Sequence, residues 1–367
     1  MFEAMHISNK MKGMTMTMKF IKKAAAVTAA ASMVLSLSAC GSNLSWAAKI
    51  SDDTTVPIGL YIFNQAETYR NGVENSLLNT YTELSEQTVE VSGSDVNALD
   101  YLDDEATKSV KSCVGAILMA KEMGVELSED DIQSAVDNAA SAYEADEEVY
   151  TQNGIAKTSI EEYYKDTARK SSLFLAIYGE DGTEPIADDA LKAYFKANYA
   201  TINFMQQYFY NEDGSFMSDD EIAAIKKEYE DVKKKAEKGK LDFVKKCEEV
   251  AKNATSYKSA YTDSISQFDP DDEDGATILG LKEGEFTMIV TDSAIALVQK
   301  AKLDKDGSKF KEYRPQLLLQ YKYDDFVKDL IKYAEDNDTV TFNDKAFEKF
   351  AASTRDFSEL NVSGYYY

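Results

Sequence analysis

The sequence predicts an α+β fold that is mainly helical, with one small strand-containing module set into a helical body. Three observations carry this. Apolar residues recur at three- to four-residue spacing through much of the chain before residue 200, and again over 310–333. Between 200 and 303 the pattern changes to short aromatic-rich runs separated by turns, in the order strand, helix, helix, strand, strand. Cysteine is scarce, three in 367 residues, so an apolar core rather than a disulfide framework must hold the chain.

The elements follow in order. A basic cluster (Lys19, Lys22, Lys23) precedes an Ala-rich apolar run from Ala24 to Leu37, the layout of a secretory signal. The run is shorter than the roughly 20 residues a spanning helix needs. It ends in Leu37-Ser38-Ala39-Cys40, which resembles the lipobox of bacterial lipoproteins. The resemblance implies cleavage between Ala39 and Cys40, with a diacylglyceryl group on Cys40. Two acyl chains are enough for stable anchoring, so the protein is expected on the extracytoplasmic face of a bacterial cell membrane. Met18 is the natural start of this signal. Residues 40–55 are small and polar and read as a tether, with the single tryptophan, Trp46, inside it.

An extended segment at Val56-Pro57 opens the folded part. A helix is expected over 61–84, a polar turn-prone stretch over 94–104, and an amphipathic helix from Ala106 to a C-cap at Gly124. Ser128 followed by Asp131 is an N-cap signature, and Thr158 followed by Glu161 is read as a second. Pro185 breaks the chain, and Asp188 is read as the cap of a short helix. In the module, a strand is expected near 202–210 and a turn at 211–214. A helix capped by Ser218 and another over 242–252 follow. Then come a polar loop, a turn at 282–285, and strands near 286–290 and 295–300. Helix 310–333, a short strand at 339–342 and a helix capped by Asn343 close the chain.

Composition narrows the chemistry. The net charge is −25, more negative once the lysine-bearing residues 1–39 are removed, which disfavours nucleic acid and anionic lipid as partners. The only histidine is His6, ahead of the expected cleavage point. A mature chain without histidine has no Ser-His-Asp or Cys-His catalysis and no histidine-based metal site. The acidic run Asp269-Pro270-Asp271-Asp272-Glu273-Asp274 fails the calcium-loop template, because Gly275 at position six puts Pro270 at position one. No cofactor, metal or catalytic residue is therefore assigned. The lysines over 226–246 alternate with acids and read as an exposed paired helix face. Cys113 and Cys247 read as buried thiols in preference to a bridge between them. Tyr61, Phe63, Tyr69, Tyr143, Tyr163, Tyr164 and Phe174 could line a groove for unfolded chains, although aromatics at this spacing are mostly core.

The order of local motifs resembles the PrsA/SurA family of extracytoplasmic foldases, in which a helical peptide-binding domain is interrupted by a parvulin-type module. Ala120-Lys121-Glu122-Met123-Gly124-Val125, with Leu127 through Ile132, is similar to that family's helix–Gly–cap–helix. Ser159-Ile160-Glu161-Glu162-Tyr163 is similar to the next one. Pro185-Ile186 and Asp188 through Tyr194 resemble the entry to the module. Gly239-Lys240-Leu241-Asp242-Phe243 and Leu281-Lys282-Glu283-Gly284-Glu285 resemble two of its turns. The family's two core histidines are missing, since the first strand reads Asn203-Phe204-Met205-Gln206 and the last Ser293-Ala294-Ile295-Ala296.

The resemblance thus implies a signal at 1–39, a tether at 40–55, a helical peptide-binding domain at 56–199 and a degenerate parvulin-like module at 200–303. Residues 304–367 would close the helical domain. It implies a membrane-anchored chaperone/foldase of Gram-positive type whose partners are unfolded or nascent exported polypeptides. Those would be held in a cradle built from the front helices and helix 310–333. Two alternatives stand beside it: a prolyl cis-trans isomerase with a His-free site, and a solute-binding or adhesive lipoprotein.

Overall fold

The computed structural model describes residues 44–360. The signal, Leu37, Ser38, Ala39 and Cys40 lie outside the described residues. Those described divide into two compact units, one of 44–186 with 322–360 and one of 187–321. The architecture is α+β and mainly helical, with small antiparallel sheets.

The first unit opens with strands β1 (Trp46–Ser51) and β2 (Thr54–Pro57), which form a three-stranded sheet in the order β2-β1-β9 with β9 (Thr341–Phe342). The tether expected over 40–55 is therefore wrong for residues 46–55. Ala47, Ala48 and Val56 are buried, and Asn343 Nδ2 donates to the Trp46 carbonyl at 2.9 Å. Small residues look like linker in composition, and of the two partners of β1 one, β9, lies almost the whole chain away.

Helix α1 (Ile58–Glu74) opens with an apolar run, Ile58 to Phe63, and is buried along most of its length, with Asn64 and Gln65 among the buried residues. It stops ten residues short of the expected end, at Asn75, because the next residue, Ser76, takes positive φ and breaks the helix. The start of the stretch expected to be turn-prone, 94–104, instead forms β4 (Ser94–Asn97), which pairs in a hairpin with β3 (Thr88–Val91). The hairpin's two turn residues, Ser92 and Gly93, both have positive φ, as a two-residue type I′ loop requires. Asn97 then caps α2 (Ala98–Met123), so that helix begins earlier than Ala106.

Gly124, at φ 67, ends α2, and the Val125 amide returns to the Ala120 carbonyl. Ser128 and Asp131 form the expected capping box for α3 (Glu129–Ala145). After α4 (Glu147–Gln152) comes α5 (Lys157–Tyr178), which starts without the side-chain cap expected at Thr158. Ser159 lies inside the helix, where it packs directly on Gly59 of α1. The chain beyond β9 adds α11 (Asp344–Lys349), capped by Asn343. Asp103 straps the following segment down by accepting from the Ala352 amide at 2.9 Å while also holding Tyr61 Oη at 2.8 Å.

The second unit is a four-stranded antiparallel sheet in the order β6-β5-β8-β7. Its strands are β5 (Tyr199–Tyr208), β6 (Lys258–Gln267), β7 (Phe286–Val290) and β8 (Ala294–Ala301). Helices α7 (Asp219–Glu237) and α8 (Phe243–Lys252) supply Tyr229, Val232, Phe243 and Cys247 to a core with Met205 and Leu297. Helix α9 (Glu273–Gly280) packs Ile278 with Ile202, Phe204 and Val298 in a second core. Strand β6 replaces the expected polar loop. It is an edge strand, and of its residues only Ala260, Ile265 and Ser266 are buried, so the sequence carries little apolar alternation.

The acidic run is also not a loop throughout, since Asp272 accepts from the Gly275 amide and caps α9. Helix α6 (Asp188–Asn198) precedes β5. Its N-cap is Ala187, so Asp188 stands in the first turn and pairs with Arg314 Nε at 2.8 Å instead of capping. The lysines of α7 and α8 form short-range pairs such as Lys234–Glu230 at 3.3 Å and Lys246–Glu249 at 3.0 Å. Helix α10 (Ser308–Glu335) starts in this unit and ends in the other.

Candidate functional site

The site is a cleft of about 440 Å³ in the first unit, bounded by three segments. The end of α2 supplies Met119 and Met123. The end of α5 and the turn after it supply Ile177, Tyr178, Thr183 and Glu184. The last part of α10 supplies Phe326, Asp329, Lys332, Tyr333 and Asp336.

Two glycines set this geometry. A Cβ at Gly115 would stand 2.0 Å from the Leu330 carbonyl oxygen, so α2 and α10 touch backbone to backbone there. That contact brings Met119, one turn on from Gly115, alongside Phe326 and Tyr333, which flank Leu330 on α10. Beyond α5, a Cβ at Gly182 would stand 2.4 Å from the Ile177 carbonyl oxygen. The tight turn returns the Thr183 amide to Ala176 at 3.0 Å and the Glu184 amide to Ile177 at 2.7 Å, satisfying helix-end carbonyls.

The floor is aromatic. Phe326 is edge-on to Phe174 at 5.4 Å and to Tyr178 at 6.2 Å, and Phe174 packs on Tyr178 at 5.3 Å. Lys322 Nζ lies 5.5 Å from the Tyr178 ring centre. Tyr333 Oη donates to Glu122, and that bond raises the phenol above its ordinary value. Lys332 pairs with Asp336, which holds the ammonium above its ordinary value too.

Further back along α5, where it meets α2, lies a buried ionic cluster. Lys170 Nζ is 2.7 Å from both Asp166 and Ser112 Oγ, and Arg169 reaches Glu162 at 3.5 Å. Burial works against the charge of Lys170, but the surrounding groups, Asp166 foremost, together outweigh it and the ammonium is held above its ordinary value. Burial pushes the nearby Cys113 thiol well up, so it offers no thiolate. Cys247 is likewise free and buried, its thiol pushed up to about 12 by burial.

Of the aromatics singled out from sequence, Tyr61, Phe63, Tyr69 and Phe174 are buried core, and Tyr143, Tyr163 and Tyr164 are half-buried against that core. None lines the cleft, although Phe174 supports its floor. Sequence reasoning missed Met119, Tyr178 and Tyr333. The available signals were a methionine pair four apart at the end of α2 and the Phe326–Tyr333 spacing of two turns on α10.

In the second unit the two stretches compared with the parvulin histidines do come together, with Gln206 opposite Ala296 on adjacent β5 and β8. The buried polar group there is Asn203. Its Nδ2 donates to Gln299 Oε1 at 3.0 Å, and its Oδ1 accepts the Asp263 amide at 2.9 Å, stitching β5 to both neighbours. Asp263 stands at positive φ in a register shift of β6. Neutral amides fix strand geometry here and have no proton to exchange at physiological pH.

No protein-family model and no curated protein matches the sequence. Among solved structures, the chain is similar to foldase protein PrsA from Streptococcus pneumoniae, at 17% identity over 71% of this chain and 96% of that one, TM-score 0.34. It is similar to the foldase protein PrsA from Lactococcus lactis at 18% identity, covering 85% and 99%, TM-score 0.33. It is also similar to PrsA from Bacillus subtilis at 14% identity, covering 73% and 92%, TM-score 0.22. Among the described residues no helix is long and apolar enough to cross a membrane.

Proposed function

We propose that this chain is a membrane-anchored extracytoplasmic chaperone/foldase that binds exported polypeptides before they fold. The observation that carries the reading is the cleft between α2, α5 and α10. Methionine side chains adapt to varied apolar partners, and rings add contact area at small entropic cost. Such a lining suits segments of many sequences rather than one small molecule. The order of motifs along the sequence supports the same reading, and the chain's strong negative charge keeps an apolar-binding carrier soluble.

The anchor is the diacylglyceryl group on Cys40, placed there by the Leu37-Ser38-Ala39-Cys40 lipobox. Residues 200–303 are a degenerate parvulin-like module that lacks the family's two core histidines.

The decisive measurement is suppression of aggregation of a chemically denatured client by the mature chain. Protection near stoichiometric ratio is expected, weakened by Met123→Arg in the cleft. No protection at molar excess would refute the chaperone reading. Catalysed isomerisation of a prolyl peptide by the same chain would move the assignment to the isomerase. Cys40→Ala is expected to release the protein from the membrane fraction without loss of fold, and equal retention of that variant would refute the lipid anchor.

A further inference from the structure

The cleft has a charge pattern that its apolar floor does not require. Four carboxylates stand on or beside its rim: Glu184 on the turn after α5, Asp329 and Asp336 on α10, and Glu122, the partner of Tyr333. The one cation in the lining, Lys332, is tied to Asp336. Lys322, over the Tyr178 ring, is paired with Asp325 at 3.0 Å. Among the described residues Glu184 and Asp329 make no ion pair, and both are exposed. An apolar depression is thus bordered from two different segments by carboxylates that form no ion pair, with Lys322, already paired to Asp325, the cation that also feels Asp329.

We infer that the cleft selects polypeptide segments in which a large apolar side chain is flanked by lysine or arginine. This rests on the client-binding reading above and names its substrate class. The volume, about 440 Å³, lies toward the small end of ligand sites, which span about 300–1,000 Å³. It therefore suits one or two side chains of an extended segment rather than a docked helix. Met119, Met123 and Phe326 receive the anchor. Glu184 and Asp329 receive the flanking cations, whose long stems also cover apolar surface. Acidic flanks would face unpaired carboxylates and be rejected, so the rim works by exclusion as much as by attraction.

The test uses the whole mature chain and three short fluorescent peptides that share one phenylalanine anchor, flanked by serines, by lysines or by glutamates. Binding is read by polarisation at low salt and at physiological salt. The lysine peptide is expected to bind tighter than the serine peptide by on the order of fivefold to tenfold at low salt, as suits two exposed charge contacts. The glutamate peptide is expected to bind weakest, and the spread should narrow as salt rises. Glu184→Gln with Asp329→Asn should remove the discrimination, bringing the lysine, serine and glutamate peptides to a common affinity. Met123→Arg should weaken the lysine peptide most.

Equal binding of all three peptides would overturn this inference while leaving the client-binding reading intact. Discrimination that survives the double substitution would also overturn it, by placing the selectivity elsewhere. Failure of every peptide to bind would overturn both. Self-association of the chain, blocked by Met123→Arg in the absence of any peptide affinity, would assign the cleft to a second copy instead.

Discussion

The helical unit and the sheet unit bury polar groups in different ways. Where it meets α2, α5 carries Glu162, Asp166, Arg169 and Lys170 into the interior, where Lys170 meets Asp166 and Ser112. A second ionic group ties Arg70 to Glu67, to Asp146 at 2.8 Å and to Tyr150 at 3.0 Å. Buried polar side chains of the sheet are neutral: Thr201, Ser266, and Asn203, which donates to Gln299. Buried charges are expensive unless each is paired, and breaking one pair strands the other charge. Neutral amides cost less to strand. The helical unit is therefore the more sensitive of the two to deletion of a single buried charge and to the titration of that charge.

The sharpest test of this contrast is Asp166→Ala, which leaves Lys170 buried without its carboxylate. It is expected to destabilise by about 3–5 kcal/mol, measured by urea unfolding. Its pH dependence follows from the sign of the shift. In the native chain Lys170 titrates above the ordinary lysine value of 10.5. Its contribution is thus complete below that value and lost as pH rises through the higher folded one. In the variant, desolvation unopposed by Asp166 lowers the folded value. The deficit should then shrink as pH rises toward 10.5. A deficit independent of pH would break the comparison.

Next in size is Gly115→Ala, where a Cβ would be forced against the Leu330 backbone. Overpacking of this kind costs about 1–3 kcal/mol or more. It should also separate α2 from α10 and weaken peptide binding at the cleft, a double readout that calorimetry and polarisation can check. Asn203→Ala removes two buried hydrogen bonds from the sheet unit and should cost about 1–3 kcal/mol. Unlike Asp166→Ala, its effect should stay flat between pH 5 and about pH 9, and a pH-dependent loss would show that titrating groups hold the sheet as well. The smallest effect is expected from Ser128→Ala at the start of α3, about 1 kcal/mol for a lost cap.

The fold was most legible where the controlling physics is local. Gly124 ends its helix in the left-handed region, Ser128 with Asp131 starts one, and Asn343 starts another, each as the neighbouring residues require. Legibility failed where a partner is distant. Thr158 and Asp188 look like caps, but Ser159 is recruited to pack on Gly59 and Asp188 to pair with Arg314. The hairpin at Ser92-Gly93 had its signal in a serine–glycine pair between alternating residues, masked by the polarity of the stretch. Strand β6 had almost none, because an edge strand keeps its place by backbone hydrogen bonds that no side chain advertises.

The candidate site divides along the same line. The sequence by itself determined an α+β chain with a helical body and no histidine beyond His6, because composition and periodicity are properties of the chain alone. It pointed to aromatics for a groove, and the structure put four of those seven in the core. Only the tertiary structure decided which apolar residues line a cleft. That depends on Gly115 letting two helices meet at Leu330 and on Gly182 folding a turn back over α5, contacts between residues far apart in sequence. Only the tertiary structure, too, turned residues inside the expected tether into a strand, since β1 pairs with β9 from the far end of the chain as well as with β2. Local preferences choose the elements, and burial of surfaces distant in sequence chooses which of their faces remain open.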